Sequence, residues 1–288
     1  AICIVPPGVS GFPKSLADLW EREKISVWYS VPSALMQMVL YGELEKRNVE
    51  AMRIVLFAGE VFPSKHLRRL MEVVPRPRYF NLFGPTETNV CAFHEVKTPP
   101  PSDEPIPIGK PCAGDEAFIT DPDGRLAPDG EIGELCVSGP TLMSGYWNDP
   151  DKTARSLLAN PFRPAAGSMY KTGDMVCRNR DGLLEYHGRA DHMIKSRGYR
   201  IELGEIESAL SSHPSVSEAA AIGVPDEAIG KKIVAFVVLH EGRTESPDAI
   251  LSHCTKKLPP YMIPESITVR EDFPRTGTGK IDRKRLMR

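Results

Sequence analysis

Short apolar segments alternate with helical patterns through the first third of the chain, and this alternation limits the possible folds more than any other feature. The predicted strands are residues 1–5, 25–29, 52–57 and 79–83. The predicted helices are residues 14–24, 32–41 and 66–74. Strands that alternate with helices in this way indicate an α/β layered domain.

A second pattern begins after Lys97, where short apolar runs are separated by turn-forming pairs. The pairs are Asp123-Gly124, Asp129-Gly130, Gly139-Pro140 and Asp181-Gly182. Such pairs favour tight turns, so residues from about 98 to 188 are predicted to form a β-rich subdomain of hairpins. Helical and strand-like segments return after Arg189, which is typical of a small α+β domain. We predict a boundary near Asp191, with one domain over residues 1–190 and another over residues 191–288.

Composition excludes several classes of function. A formal net charge of -2 gives no field that would attract nucleic acid or an anionic membrane, and no apolar run has the length of a membrane span. None of the six cysteines forms a CxxC pair, so we expect reduced thiols in the cytoplasm and no zinc site. The apolar run at residues 1–5 has no charged leader, so we expect a strand of a larger fold there and not a signal peptide.

The segment 81–87 reads Asn-Leu-Phe-Gly-Pro-Thr-Glu and predicts a strand that ends in a rigid turn. Gly84 permits a backbone path that other residues resist, and Pro85 fixes it. A hydroxyl at Thr86 and a carboxylate at Glu87 suit phosphate and Mg²⁺ binding. Taken alone, the segment is equally consistent with a solvated polar turn.

Three further segments carry charged or polar groups in unusual settings. Residues 170–174 end in Thr-Gly-Asp, where the carboxylate of Asp174 could accept hydrogen bonds from both ribose hydroxyls, although a surface turn has the same letters. Residues 188–207 form a long basic and acidic string that is too specific to be only a charged face. Residues 274–283 form a glycine-rich loop whose Lys280 either reaches a phosphate or belongs to a basic tail, and its spacing is not that of a Walker loop.

Together and in this order, the four segments resemble the adenylate-forming superfamily, which includes acyl-CoA synthetases, luciferases and the adenylation domains of nonribosomal peptide synthetases. Residues 133–147, from Gly-Glu-Leu-Cys-Val-Ser-Gly to Gly-Tyr-Trp, resemble a structural core of the same superfamily. The forms Gly-Pro-Thr-Glu and Arg-Ile-Glu-Leu-Gly-Glu-Ile-Glu are most similar to amino-acid adenylation domains. The resemblance implies that residues 1–190 are the later portion of the large adenylating domain and residues 191–288 its small mobile domain.

The resemblance also implies roles for individual residues, with ATP and Mg²⁺ as cofactors. Thr86 would contact the α-phosphate, Glu87 would hold Mg²⁺, and Lys280 would bridge the α-phosphate and the substrate carboxylate. Phe83 stands where tyrosine is usual and would pack on adenine without the hydroxyl. Further cofactor contacts are implied for Gly59, Glu60, Gly84, Asp174 and Arg189.

A hinge at Asp191 is implied, with rotation that withdraws Lys280 and brings Gly198 to the phosphopantetheine arm of a peptidyl carrier protein. The implied substrate pocket is small, apolar and uncharged, and its residues are Tyr29, Leu56, Ala58, Leu82, Val90 and Cys91. This set is similar to that of stand-alone enzymes that load proline onto a carrier protein. The same apolar residues would also suit an ordinary core.

Two other functions stay open on the sequence alone. One is an acyl- or aryl-acid CoA ligase, and the other is a silent fragment that only docks a carrier protein. The superfamily's Gly/Ser/Thr-rich phosphate loop has no counterpart before Asn81, and the aspartate that usually binds the substrate amino group lies upstream as well. We therefore expect the isolated chain to be a poor catalyst.

Overall fold

The computed structural model describes residues 1–6, 8–164, 167–190, 193–275 and 281–287, and the chain divides into two compact units, Ala1–Asp191 and His192–Arg288. In the first unit, a five-stranded sheet has its strands in sequence order. These strands are β1 (Val27–Ser30), β2 (Ile54–Ala58), β3 (Arg78–Phe83), β4 (Ala92–Val96) and β5 (Lys110–Pro111). The first three are parallel, and the last two join antiparallel.

Three helices cover one face of this sheet: α1 (Pro13–Arg22), α2 (Pro32–Tyr41) and α3 (Ser64–Val73). Proline occupies the first turn of α1 and α2, where its missing N–H costs no hydrogen bond. The apolar faces of the helices pack with alternate side chains of the strands, such as Val55 and Phe57, in one buried cluster. This packing confirms the α/β layers predicted from the alternating segments.

The second half of this unit is a β-rich layer, as the turn pairs predict. Its elements are β6 (Glu116–Thr120), β7 (Gly133–Ser138), α4 (Pro150–Ser156), β8 (Leu157–Ala159), β9 (Ser168–Arg178) and β10 (Leu184–Arg189). The antiparallel sheet has the order β10-β9-β7-β6, and the short strand β8 also pairs with β9. The predicted turn at Asp181-Gly182 connects β9 to β10, and Gly182 has a left-handed φ of 72° there.

The second unit is an α+β fold. It contains β11 (Met193–Ser196), β12 (Tyr199–Glu202), α5 (Leu203–Ser211), β13 (Val216–Asp226), β14 (Gly230–Leu239), α6 (Pro247–Cys254), β15 (Ser266–Arg270) and α7 (Arg283–Leu286). Strand β14 is central, antiparallel to β13 and parallel to β15. Apolar side chains of α5 and α6 pack in one buried cluster with the inner residues of this sheet. The predicted fold class is confirmed in both units.

The prediction of a buried strand at residues 1–5 is wrong. These residues are not in a strand, and Ile2 and Ile4 are 92% and 81% exposed. A strand exists only where its backbone N–H and C=O groups pair with a neighbour, and apolar composition alone does not supply one. Within the described residues, no helix is both long and apolar enough to cross a bilayer.

Candidate active site

The loop between β3 and β4 carries Thr86 and Glu87 at its tip. The loop closes on itself because the Cys91 amide donates a 2.9 Å hydrogen bond to the Phe83 carbonyl. A Cβ at Gly84 would overlap the carbonyl oxygen of Asn89, so only glycine fits. Close approach of two backbone segments imposes this requirement, and φ at Gly84 is not left-handed.

Glu87 is held in place by a residue that the sequence did not identify as functional. Its side chain is only 7% exposed, and Tyr146 donates a 2.7 Å hydrogen bond from its hydroxyl to Oε1. Burial, followed by this bond to Glu87, raises the pKa of Tyr146, so the hydroxyl remains a donor at neutral pH. The sequence assigned the Gly-Tyr-Trp segment only a structural role, because the contact between the Tyr146 hydroxyl and Glu87 exists only in the folded chain. Thr86, by contrast, is exposed.

Asp174 and Arg189 form a buried ion pair across the β9–β10 hairpin. They are register partners, the Arg189 Nη1 to Asp174 Oδ1 distance is 3.1 Å, and their side chains are 0% and 6% exposed. Thr172 contacts both residues: its hydroxyl accepts a hydrogen bond from the Asp174 backbone amide, and its carbonyl accepts one from Arg189 Nη1. The ion pair with Arg189 holds the Asp174 carboxylate in place.

Phe83 joins the loop to this hairpin. Its ring lies 5.9 Å from the ring of Tyr186, which is on β10 three residues before Arg189. Phe83 is 7% exposed and packs in a buried cluster with Cys91 and Val176. The structure thus packs Phe83 against Val176 and Tyr186 of the hairpin that carries Asp174, and the adenine contact itself stays a prediction.

Four of the six predicted pocket residues share one face of the first sheet. Tyr29 pairs with Leu56 and Ala58 pairs with Leu82, on the face opposite the helices. Tyr29 is 60% exposed, whereas the other three are half-buried.

The other two pocket residues follow the β3–β4 loop. Val90 is half-buried. Cys91 is buried in the cluster around Phe83, and its thiol donates to the Phe83 carbonyl at 3.6 Å. Burial raises the pKa of Cys91 to about 11, so this thiol is not a nucleophile at neutral pH.

Gly59 and Glu60, both predicted to contact the cofactor, lie just after β2. Gly59 has a left-handed φ of 94°. The Glu60 carboxylate accepts a 3.0 Å hydrogen bond from the Ser33 amide in the first turn of α2. A negative charge stabilises a helix N-terminus, so Glu60 has a structural role that the sequence did not reveal.

The remaining predicted residues belong to the end of the first unit and to the second unit. Lys280 and Asp191 lie outside the described residues. Gly198 forms a two-residue turn between β11 and β12 with Arg197, and both have left-handed φ values, 51° and 80°. A type I′ hairpin turn requires this conformation, which accounts for the glycine without reference to a ligand.

Comparison with known proteins agrees with this geometry. Residues 1–147 match the family of AMP-binding enzymes, and residues 205–280 match the C-terminal domain of AMP-binding enzymes. A protein from Pseudomonas fluorescens named L-proline–L-prolyl-carrier protein ligase is 42% identical over 100% of this chain and 55% of its own length. One of the same name from Streptomyces coelicolor is 39% identical over 99% of this chain and 53% of its own.

A solved structure supports the same assignment. The crystal structure of IdnL1 matches with a TM-score of 0.85 and 29% identity, over 94% of this chain and 55% of that one. The chain thus spans about half the length of the relatives it matches. Because the family match covers more than half of its residues, the chain belongs to the AMP-binding enzyme family.

Proposed function

We propose that the chain is the later part of an AMP-forming ligase that activates an amino acid with ATP and passes it to the phosphopantetheine arm of a peptidyl carrier protein. The observation that carries the proposal is the buried Asp174–Arg189 pair, on the same hairpin as Tyr186, whose ring lies 5.9 Å from the ring of Phe83. It supplies a fixed carboxylate, a cation and an aromatic ring, the groups that recognise a ribose and a purine. The side chains of Asp174 and Arg189 are nearly buried. The atoms that cover these two side chains must therefore move before a ribose can bind.

The β3–β4 loop would bind the phosphates. Carboxylate oxygens are preferred Mg²⁺ ligands, and the nearly buried carboxylate of Glu87, oriented by Tyr146, fits that role. Mg²⁺ there would neutralise charge on the phosphates. Thr86 would donate to the α-phosphate from its exposed position, and Gly84 would let the loop backbone approach it.

Lys280 would complete the charge balance. A substrate carboxylate that attacks a phosphate brings like charges together, and an ammonium group between them lowers that repulsion in the transition state. We expect Lys280→Ala to lower ATP–pyrophosphate exchange by about 10²–10³-fold in the full-length protein. The amount of folded protein, measured by circular dichroism, is the control. Near-normal exchange by a folded Lys280→Ala protein would remove this role.

The sheet face of Tyr29, Leu56, Ala58 and Leu82 would contact the substrate side chain. It carries apolar groups and one phenol, so it disfavours charged amino acids, which would lose hydration there. We propose a small apolar amino acid with proline favoured. The names of the two relatives quoted above support proline as the substrate.

The second unit would act in the thioester step. Asp191, at the boundary of the two units, is the proposed hinge, and the Arg197-Gly198 turn is the proposed contact for the phosphopantetheine arm. The two-residue turn has no side chain at Gly198, so its backbone surface is narrow there, which suits a thin, extended arm.

Two measurements on the full-length protein test the proposal. ATP–pyrophosphate exchange with a panel of amino acids should be highest with proline, and equal rates with proline, leucine and phenylalanine would remove proline as the substrate. Labelled amino acid should then appear on a holo carrier protein. Transfer to CoA alone would indicate an acyl-CoA ligase, and no exchange with any acid would indicate a docking module.

A further inference from the structure

The β9–β10 hairpin carries a second group of ligand-type side chains, on the face opposite Tyr186. Cys177 and Glu185 are cross-strand register partners, and His187 lies two residues beyond Glu185 on β10. The pairing shifts register between Tyr186 and Arg189, so His187 sits in a bulge. Bulges re-aim side chains, and this one directs the imidazole of His187 towards the thiol of Cys177.

The three ligand atoms are close enough to share one ion. Cys177 Sγ lies 3.1 Å from His187 Nε2 and 3.8 Å from Glu185 Oε2, and all three atoms lie within 4.8 Å of one another. A tetrahedral zinc with bonds of about 2.3 Å to sulfur and about 2.0–2.1 Å to nitrogen separates those two atoms by about 3.5 Å. We propose that Cys177, Glu185 and His187 form a binding site for a divalent transition metal, with Zn²⁺ as the preferred ion.

A neighbouring amide orients the carboxylate. Asn179 Nδ2 donates a 2.7 Å hydrogen bond to Glu185 Oε1, so the other oxygen, Oε2, is the one that faces the sulfur. Such outer contacts fix the direction of a ligand and raise metal affinity. The arrangement therefore has an orienting partner as well as three ligands.

The donor set selects the class of metal. One thiolate, one imidazole and one carboxylate match zinc and its substitute cobalt, whereas magnesium and calcium prefer oxygen ligands alone. Cys177 is buried, Glu185 half-buried and His187 exposed, so an ion can enter from the side of His187. Three protein ligands leave a fourth position for water or another donor.

The position of the site links it to the nucleotide residues. Metal binding would cross-link β9 to β10 three residues from Asp174 and two residues from Arg189. A cross-link there would restrict the hairpin that holds the ion pair. We infer that the metal stabilises this hairpin, because its ligands belong to both strands.

Cobalt titration of the whole chain, with a non-thiol reductant present, tests the site directly. We expect one Co²⁺ per chain and a sulfur-to-cobalt charge-transfer band that Cys177→Ser abolishes. Asn179→Ala should lower affinity by about 10–100-fold, and His187→Gln, which removes a ligand, by more. Cys3→Ser removes an exposed thiol and should change neither band nor stoichiometry.

A second readout guards against a folding defect. His187 is exposed, so His187→Gln should keep the native circular dichroism spectrum. Zn²⁺ should raise the melting temperature of the native chain and of Cys3→Ser but not of His187→Gln. Absence of the charge-transfer band in the native chain at saturating Co²⁺, or a band that survives Cys177→Ser, would overturn the proposal and leave the contact as a thiol–imidazole hydrogen bond.

Discussion

The β9–β10 hairpin and the open face of the first sheet are held by different forces. In the hairpin, Asp174 and Arg189 form a buried ion pair, and Thr172 accepts hydrogen bonds from the Asp174 amide and from Arg189 Nη1. On the sheet face, Tyr29 and Leu56 are placed by strand register and remain partly exposed. A buried charged site is held in place by its ion pair and hydrogen bonds, whereas a surface that selects a side chain by size depends on strand register alone.

The comparison leads to different expectations for substitutions in the two regions. Changes in the hairpin or in the loop that meets it should reduce stability and activity for every substrate. Changes on the sheet face should leave stability nearly intact and alter the preference among substrates.

Asp174→Ala should have the largest effect on stability. It leaves the Arg189 guanidinium buried without its carboxylate, which typically costs about 3–5 kcal/mol. Urea denaturation of the chain measures the loss. Glu95→Ala, which breaks the exposed Arg78–Glu95 pair, is the matched control and should cause little change. Equal losses for the two variants would mean that the hairpin is not the constrained region.

Gly84→Ala should follow, because a new methyl group would overlap the Asn89 carbonyl and the loop must open. Overpacking of this kind costs about 1–3 kcal/mol. The denaturation midpoint should fall, and ATP–pyrophosphate exchange in the full-length protein should fall further. Gly11→Ala, where nothing lies near the new atom, is the control. An unchanged midpoint for Gly84→Ala would show that the loop accommodates a side chain.

Tyr146→Phe removes the hydroxyl that orients Glu87. A hydrogen bond to a charged group contributes about 1.5–3 kcal/mol, so exchange should fall at least about tenfold. The Mg²⁺ concentration for half-maximal exchange should rise, since the carboxylate loses its fixed direction. Tyr41→Phe, at an exposed position at the end of α2, should leave both quantities unchanged. An unchanged Mg²⁺ dependence in Tyr146→Phe would separate Glu87 from the metal.

Local patterns in the sequence predicted most of the helices and strands of the first unit. The features that were not predicted depend on contacts between residues far apart in the sequence. The helix Pro32–Tyr41 was predicted at its exact bounds because proline begins it and its apolar pattern ends with it. Strand β4 escaped prediction, since its burial follows from pairing with β3 and not from its own alternation. The Tyr146–Glu87 bond spans 59 positions, so no local pattern reveals it.

The functional residues also divide into those that a local motif predicted and those that only the folded structure brings together. Glu87 and Asp174 were predicted from motifs, and the structure gives each a buried, oriented setting, although their ligand roles stay predictions. The Cys177 group was not predicted, because it contains a single cysteine and has no CxxC spacing. Its ligands come from opposite strands of a hairpin, and the bulge that brings the exposed His187 next to Cys177 leaves no sequence mark.

Substitution on the sheet face should have the smallest effect on stability and the clearest effect on selectivity. Leu82→Ala enlarges the proposed pocket, so leucine should gain relative to proline in the exchange assay. A change of a few methylene groups alters such a ratio by about tenfold or more. Leu158→Ala makes the same change on the short strand β8, away from the face, and should preserve the native ratio. If the two variants change the ratio equally, the sheet face does not select the substrate. The β9–β10 hairpin would then be the one of the two compared regions that keeps a proposed role in substrate activation.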